Sequence, residues 1–199
     1  HHLVIREDLR DLTRIRDSGR VEARAALLPE RVGAPLSLNA LSEDLGVAFG
    51  SVRTWVEALG RLYYLFEIRP YAGRLARALR REAKVYLFDF SEIADPGARF
   101  ENLVALHLLK LRDAWNDWGL GDFELHYVRD KEKREVDFLL TESRRPYLLL
   151  EAKLSAQDVS PSLLYFQERL KPAYTVQLSR EEPRGGTRAA PGVLRLGAA

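Results

Sequence analysis

The chain has 199 residues, 46% of them hydrophobic, with 31 Lys and Arg side chains against 29 Asp and Glu. That size and composition suffice for one large or two small packed domains. The absence of Cys excludes disulfide scaffolds, thiol nucleophiles and Cys-ligated zinc or iron–sulfur sites. No apolar run approaches the roughly 18 to 20 residues of a membrane helix, and no signal peptide opens the chain. We therefore expect a cytoplasmic protein without membrane contact.

The sequence contains no Met and begins with His1 and His2. The histidine pair is typical of a purification-tag remnant. Because no initiator Met is present, we expect a piece of a longer protein or a chain that lacks its true start.

Two short helices and two strands are predicted in the first part of the chain. After amphipathic patterns over residues 3–17 and 21–31, Leu38, Leu41 and Leu45 form an apolar stripe that Gly46 ends. Ser37 or Asn39 can cap this helix, and a second helix is expected over residues 48–59. Strands are expected over residues 63–68 and 85–88. This order predicts a helix-turn-helix with a wing.

The second helix presents Arg53 on its exposed face, beside Ser51 and Thr54. These side chains can meet phosphates or base edges, which favours DNA binding. Winged helices also serve as protein-interaction or packing modules, and that alternative stays open.

Basic residues concentrate early in the chain, where residues 1–82 carry 14 Arg against 11 acidic side chains. The densest cluster comprises Arg69, Arg74, Arg77, Arg80, Arg81 and Lys84. Because the arginine fork donates two hydrogen bonds at once, this cluster can bind nucleic-acid phosphates. The alternative is that it forms a solvated helix face.

The second half predicts the order αβββαβ. The expected helices cover residues 96–118 and 161–171, and the expected strands cover residues 123–128, 135–140, 147–153 and 174–178. His107, on the apolar face of the first of these helices, is expected to lie in the protein core. Trp115 and Trp118 are expected to be packing residues.

The two middle strands form a predicted antiparallel hairpin whose loop is centred near Arg144. Its register places Asp137 opposite Glu151, and strand alternation keeps Lys153 on their face. Facing carboxylates repel each other, so we expect a divalent cation, Mg²⁺ or Mn²⁺, between them. Lys153 would then stabilise phosphate charge or orient a water. Glu101, at the edge of the helical stripe, supplies a third carboxylate.

A structural alternative uses the same residues without a metal. Glu135 could pair with Lys153 across the strands, and Glu151 could pair with Arg129 or Arg134.

The sequence resembles the C-terminal part of a family of prokaryotic AAA+-type P-loop ATPases. In these proteins a winged helix precedes a PD-(D/E)XK, or restriction-endonuclease-like, domain. The stretches that carry the resemblance are residues 8–12, 41–59, 100–102, 127–140 and 150–153. Val136 stands where the nuclease motif has proline. No G-x-x-x-x-G-K-[ST] loop is present, so we expect no ATP site and no ATP hydrolysis.

The resemblance implies that Glu101, Asp137, Glu151 and the Ala152 carbonyl hold Mg²⁺ or Mn²⁺, and that Lys153 is the catalytic lysine. It implies a winged-helix region over residues 1–90 and a nuclease-like αβββαβ domain over residues 91–199, of mixed α+β and α/β class. The expected function is DNA phosphodiester hydrolysis. The alternative is a silent nucleic-acid- or protein-binding module that regulates the absent ATPase.

Overall fold

A computed structural model describes residues 28–72, 82–181 and 190–197 of the chain. Within these ranges lie four α-helices and seven strands. The predicted helix over residues 3–17 and residues 21–27 of the one predicted over 21–31 fall outside the described residues, and Pro29–Arg31 form a short 3-10 turn. The elements are α1 (Leu38–Leu45), α2 (Phe49–Arg61), β1 (Leu65–Pro70), β2 (Lys84–Leu87), α3 (Pro96–Asp117), β3 (Phe123–Arg129), β4 (Glu135–Glu142), β5 (Arg145–Lys153), α4 (Pro161–Leu170), β6 (Tyr174–Ser179) and β7 (Leu194–Gly197).

The strands form one mixed sheet in the order β2-β1-β3-β4-β5-β6-β7. β3, β4 and β5 are antiparallel neighbours, whereas β1 runs parallel to β3, and β6 and β7 continue parallel to β5. A helical first part followed by a sheet-containing domain confirms the predicted mixed fold class. None of the helices in the described ranges combines the length and apolar character needed to cross a bilayer.

The described residues divide into two compact units, and one boundary between the units falls inside β1. The first comprises residues 28–67 and 82–95, and the second comprises residues 68–72, 96–181 and 190–197.

The helix pair of the first unit follows from its capping residues. The Ser37 hydroxyl accepts a hydrogen bond from Ala40 N–H, and Gly46 ends α1 with φ +60°, a conformation that glycine adopts without strain. α2 buries Val52, Val56 and Leu59 on one face. The predicted helix pair is confirmed, with α2 extending two residues further.

The second unit follows the predicted order from α3 to β6. Its core between sheet and α4 is built from Val128, Val136, Leu139, Leu149, Val159, Leu163 and Phe166. β7, which was not predicted from the sequence, pairs with β6 at the edge of the sheet. It has only four residues, and its leucines, Leu194 and Leu196, are about half exposed.

Candidate active site

The β4–β5 hairpin sets the positions of the candidate site. Ser143 and Arg144 form its tight turn, both with positive φ, as a type I′ hairpin turn requires. Beyond a shift after Leu140, Phe138 pairs with Leu150 and Leu139 with Leu149, which is the predicted register. The paired residues end at Phe138 and Leu150, one residue short of Asp137 and Glu151, whose carboxylates interact electrostatically.

A β-bulge in β4 coincides with Asp137. The β3–β4 register changes between His126 and Val128, so two residues of β4, Asp137 and Phe138, lie opposite Tyr127 alone. A bulge interrupts strand alternation and re-aims side chains. Val136 and Leu139 consequently share one core although they are three residues apart. This bulge was not predicted from the sequence.

Asp137 contacts the backbone of the neighbouring strand. Its Oδ2 accepts a hydrogen bond from Ala152 N–H at 2.8 Å. Because a residue's N–H and carbonyl point to the same side of a strand, the Ala152 carbonyl also faces β4. The Lys153 carbonyl points the other way and accepts from Arg180 N–H. The Asp137 carboxylate and the Ala152 carbonyl thus lie on the same side of β5.

Glu151 is a buried acid with one unsatisfied oxygen. The side chain is 4% exposed, and Lys153 Nζ donates to its Oε1 at 2.5 Å. Its Oε2 is buried without a hydrogen-bond partner in the described part of the chain. Burial and the negative charge of Asp137 raise the pKa of Glu151 to about 7, although Lys153 acts in the opposite direction.

Glu101 and Lys153 complete the group. Glu101 lies in the second turn of α3, between the buried side chains of Phe100 and Asn102. Its charge contributes to raising the pKa of both Glu151 and Lys153. Burial alone lowers the pKa of Lys153, but the negative charges of the three carboxylates outweigh burial and raise it. We call Glu101, Asp137, Glu151 and Lys153 the acidic cluster.

The acidic cluster has the donor chemistry of a site for a hard divalent cation. Carboxylate and carbonyl oxygens suit Mg²⁺ and Mn²⁺, and a cation would satisfy Glu151 Oε2 and favour ionised Glu151. No three His, Asp or Glu side chains within the described ranges already stand close enough to hold an ion. The residues therefore fit such a cation by type and charge, without forming a closed coordination shell.

The ion pairs around the acidic cluster differ from the proposed structural alternative. Arg129 pairs with Glu135 at 3.0 Å, and Arg134 pairs with the buried Asp130 at 2.6 Å. Lys153 pairs with Glu151 on its own strand. The arginines proposed as partners of Glu151 thus bind other carboxylates.

Gln177, which the sequence analysis missed, fixes the loop beside the acidic cluster. It pairs with Glu151 in the β5–β6 register and is 3% exposed. Its Oε1 accepts from Ser160 N–H, and its Nε2 donates to the carbonyls of Gln157 and Asp158. An amide amid the apolar residues of a predicted strand was the signal available in the sequence.

Three of the predicted nucleic-acid contacts fall in the described residues. Arg53 is exposed on α2 and pairs with Glu57 at 2.9 Å, and Arg69 is exposed on β1. Lys84 is 1% exposed within β2, so the structure corrects its expected role as a phosphate contact. Because the side chain is buried, its ammonium is not accessible to a phosphate on the protein surface. Arg74, Arg77, Arg80 and Arg81 lie outside the described residues.

Two side chains predicted to pack in the core are exposed. His107 faces outward because α3 buries Val104, Ala105 and Leu108 instead. Trp118 is 72% exposed just beyond the end of α3. The packing prediction is confirmed for Trp115, which contacts the rings of Phe123 and Tyr147.

The two halves of the chain match different family models. Residues 2–93 match a domain of unknown function (DUF8612), and residues 96–190 match a second domain of unknown function (DUF4143). The second domain is found in AAA-ATPase-associated proteins, which is compatible with the resemblance described above. No curated protein and no solved structure matches the chain.

Proposed function

We propose that the second unit is a PD-(D/E)XK nuclease-like module that hydrolyses DNA phosphodiester bonds with Mg²⁺ or Mn²⁺. The observation that carries the proposal is the acidic cluster, in which three carboxylates and a lysine interact at one end of the β4–β5 pair. Glu151 Oε2, which has no hydrogen-bond partner among the described residues, supports a cation there. Glu101, Asp137, Glu151 and the Ala152 carbonyl would hold the ion.

The chain's own residues supply positioning and charge. A divalent cation, when bound, provides positive charge for the phosphate and a water of lowered pKa. Lys153, whose side chain is 30% exposed, can donate to a phosphate oxygen or orient the attacking water. Burial of Glu151 strengthens electrostatic interactions in the cluster because surrounding water screens them less.

The proposal extends to the setting of this module. The α1–α2 pair and the strands that follow support a winged-helix region, in which exposed Arg53 contacts DNA phosphates. The match to a domain found in AAA-ATPase-associated proteins supports a P-loop ATPase as the module that works with this chain.

The test is a cleavage assay on plasmid and single-stranded DNA with Mg²⁺ or Mn²⁺. It compares the full chain with Asp137→Ala and Lys153→Ala, and with Asp113→Ala as an exposed acidic control on α3. We expect metal-dependent cutting by wild type and control and none by the two site variants. Cutting that survives Asp137→Ala would contradict the proposal.

A silent binding module that regulates the ATPase is the second candidate. It is favoured by the partners that Asp137 and Glu151 already have within the chain, and by the lack of a ready three-ligand group in the described residues. This candidate predicts neither cutting nor calorimetric Mn²⁺ binding, together with DNA binding that weakens in salt and on neutralising Arg77, Arg80 and Arg81. A partner that binds regardless of salt and these arginines would be a protein.

A further inference from the structure

A cavity of about 670 Å³ adjoins Lys153. It lies between the end of β5, the loop over residues 157–160, the first turn of α4 and Ala190. We call it the Lys153 cavity. Its volume falls within the range of roughly 300 to 1,000 Å³ that is typical of sites for small ligands, including single nucleotides.

The walls combine charged side chains with apolar surface. Lys153, whose ammonium donates to Glu151 Oε1, brings positive charge to one side and Asp158 brings a carboxylate, and the apolar contacts come from Val159, Pro161, Leu164 and Ala190. The first turn of α4, which no side chain caps, adds a partial positive charge from its helix dipole. A phosphate beside Lys153 with a base against the apolar wall matches this division.

The loop that bounds the cavity is anchored to the sheet next to Glu151. Gln177 makes three hydrogen bonds to this loop, and Gln177 and Glu151 are partners in adjacent strands. The loop side of the cavity is consequently anchored to the strand next to Glu151, and Lys153 belongs both to the cavity wall and to the acidic cluster.

A base within a duplex cannot enter a concave cavity, because its partner strand and its stacked neighbours cover it. An unpaired base can leave the stack and contact apolar side chains. We propose that the Lys153 cavity receives one unpaired nucleotide beside the scissile phosphate, so that the favoured DNA is single-stranded at the point of cutting. This inference rests on the proposed function for its scissile phosphate, whereas nucleotide binding is measured separately.

The test measures binding without cutting. Fluorescence anisotropy with a labelled oligothymidine, and with a labelled duplex of equal length, is followed in EDTA with the full chain. Leu164→Glu places a carboxylate at the cavity wall, and Ala190→Glu does so from a second element. Leu120→Glu, on an exposed leucine outside the cavity, is the matched control.

We expect the wild type to bind the single strand more tightly than the duplex. Each cavity variant should lose about tenfold in single-strand affinity, corresponding to about 1.4 kcal/mol, with duplex binding and the control unchanged. Equal affinities for the two probes, absence of single-strand binding, or cavity variants that behave like the control would overturn the inference.

The outcomes separate the two proposals. Single-strand binding that depends on the cavity, without cutting under any metal, would leave the nucleotide site standing and remove the nuclease. Cutting that Asp137→Ala abolishes, combined with cavity variants that bind like wild type, would do the reverse.

Discussion

The Asp137 carboxylate accepts a hydrogen bond from the backbone N–H of Ala152, at 2.8 Å across the β4–β5 pair. A side chain therefore joins the two strands at the end of the hairpin that carries Glu151 and Lys153. The contact gives Asp137 a structural role beside its proposed role as a metal ligand, and suitable substitutions separate the two.

Asp137→Asn retains an oxygen that can accept from Ala152 N–H but removes the charge. We expect the free energy of unfolding of this variant to lie within about 1 kcal/mol of the wild-type value. Asp137→Ala should lower the free energy of unfolding by about 1–3 kcal/mol, because it leaves a partly buried N–H unsatisfied. Urea denaturation measures both. If Asn destabilises the chain as much as Ala, the hydrogen bond is not the source of the effect.

Glu151 makes stability depend on pH. Below pH 4.5 the carboxyl is protonated in folded and unfolded chains. As the pH rises the unfolded chain releases this proton first, because burial and Asp137 hold the folded pKa at about 7. The free energy of unfolding therefore falls between about pH 4.5 and 7, by about 3 kcal/mol from this group.

Glu151→Gln removes that ionisation, so its stability relative to wild type should increase from pH 5 to pH 8 in metal-free buffer. Denaturation at several pH values measures the difference. Glu142→Gln makes the same chemical change at the far end of β4 and serves as control. A Glu151→Gln curve parallel to wild type would contradict a raised pKa.

Divalent cations should stabilise the wild-type chain at pH 8. Binding to the folded state alone adds about 2.7 kcal/mol at a concentration one hundred times the Kd. Adding Mn²⁺ should raise the Tm in thermal denaturation for wild type and for Glu142→Gln. It should leave the Tm of Glu151→Gln and Asp137→Asn unchanged. A rise of the same size in every variant would indicate binding elsewhere.

Gln177→Ala should destabilise the second unit by about 2–4 kcal/mol, because it creates a cavity and removes a buried amide with three hydrogen bonds to the 157–160 loop. Gln167→Ala, which removes a half-buried glutamine whose side chain makes one hydrogen bond within the described residues, to the Pro191 carbonyl, is the comparison. Urea denaturation measures the change, and proteolysis should cut near residues 157–160 more readily. An unchanged midpoint would show that the loop is held by other contacts.

Arg53→Ala tests the first unit. Its exposed pair with Glu57 contributes little, so stability should change by less than about 0.5 kcal/mol. If Arg53 contacts a DNA phosphate, the slope of log affinity against log salt should decrease by about 1 in anisotropy titrations. Glu57→Ala serves as control for the broken pair. An unaltered salt slope would remove Arg53 from the DNA interface.

The elements that the sequence predicted well carry their own local signals. Ser37 and Gly46 mark both ends of α1, and centring the hairpin loop near Arg144 predicted the pairing of Leu139 with Leu149. The bulge at Asp137 had no such signal, because an extra residue in one strand is defined only by its pairing with the next. His107 and Lys84 illustrate the same limit, since the side of an element that becomes buried depends on what packs against it.

The buried carboxyl of Glu151 also bears on how such a chain changes over generations. The apolar residues of the β4–β5 hairpin would still pack with a neutral residue at this position. At neutral pH the free energy of unfolding would be higher with that residue than with Glu151. Selection for folding alone would consequently remove this acid. Under the proposed function, the same acid would be kept as a cation ligand although it lowers the stability of the metal-free chain.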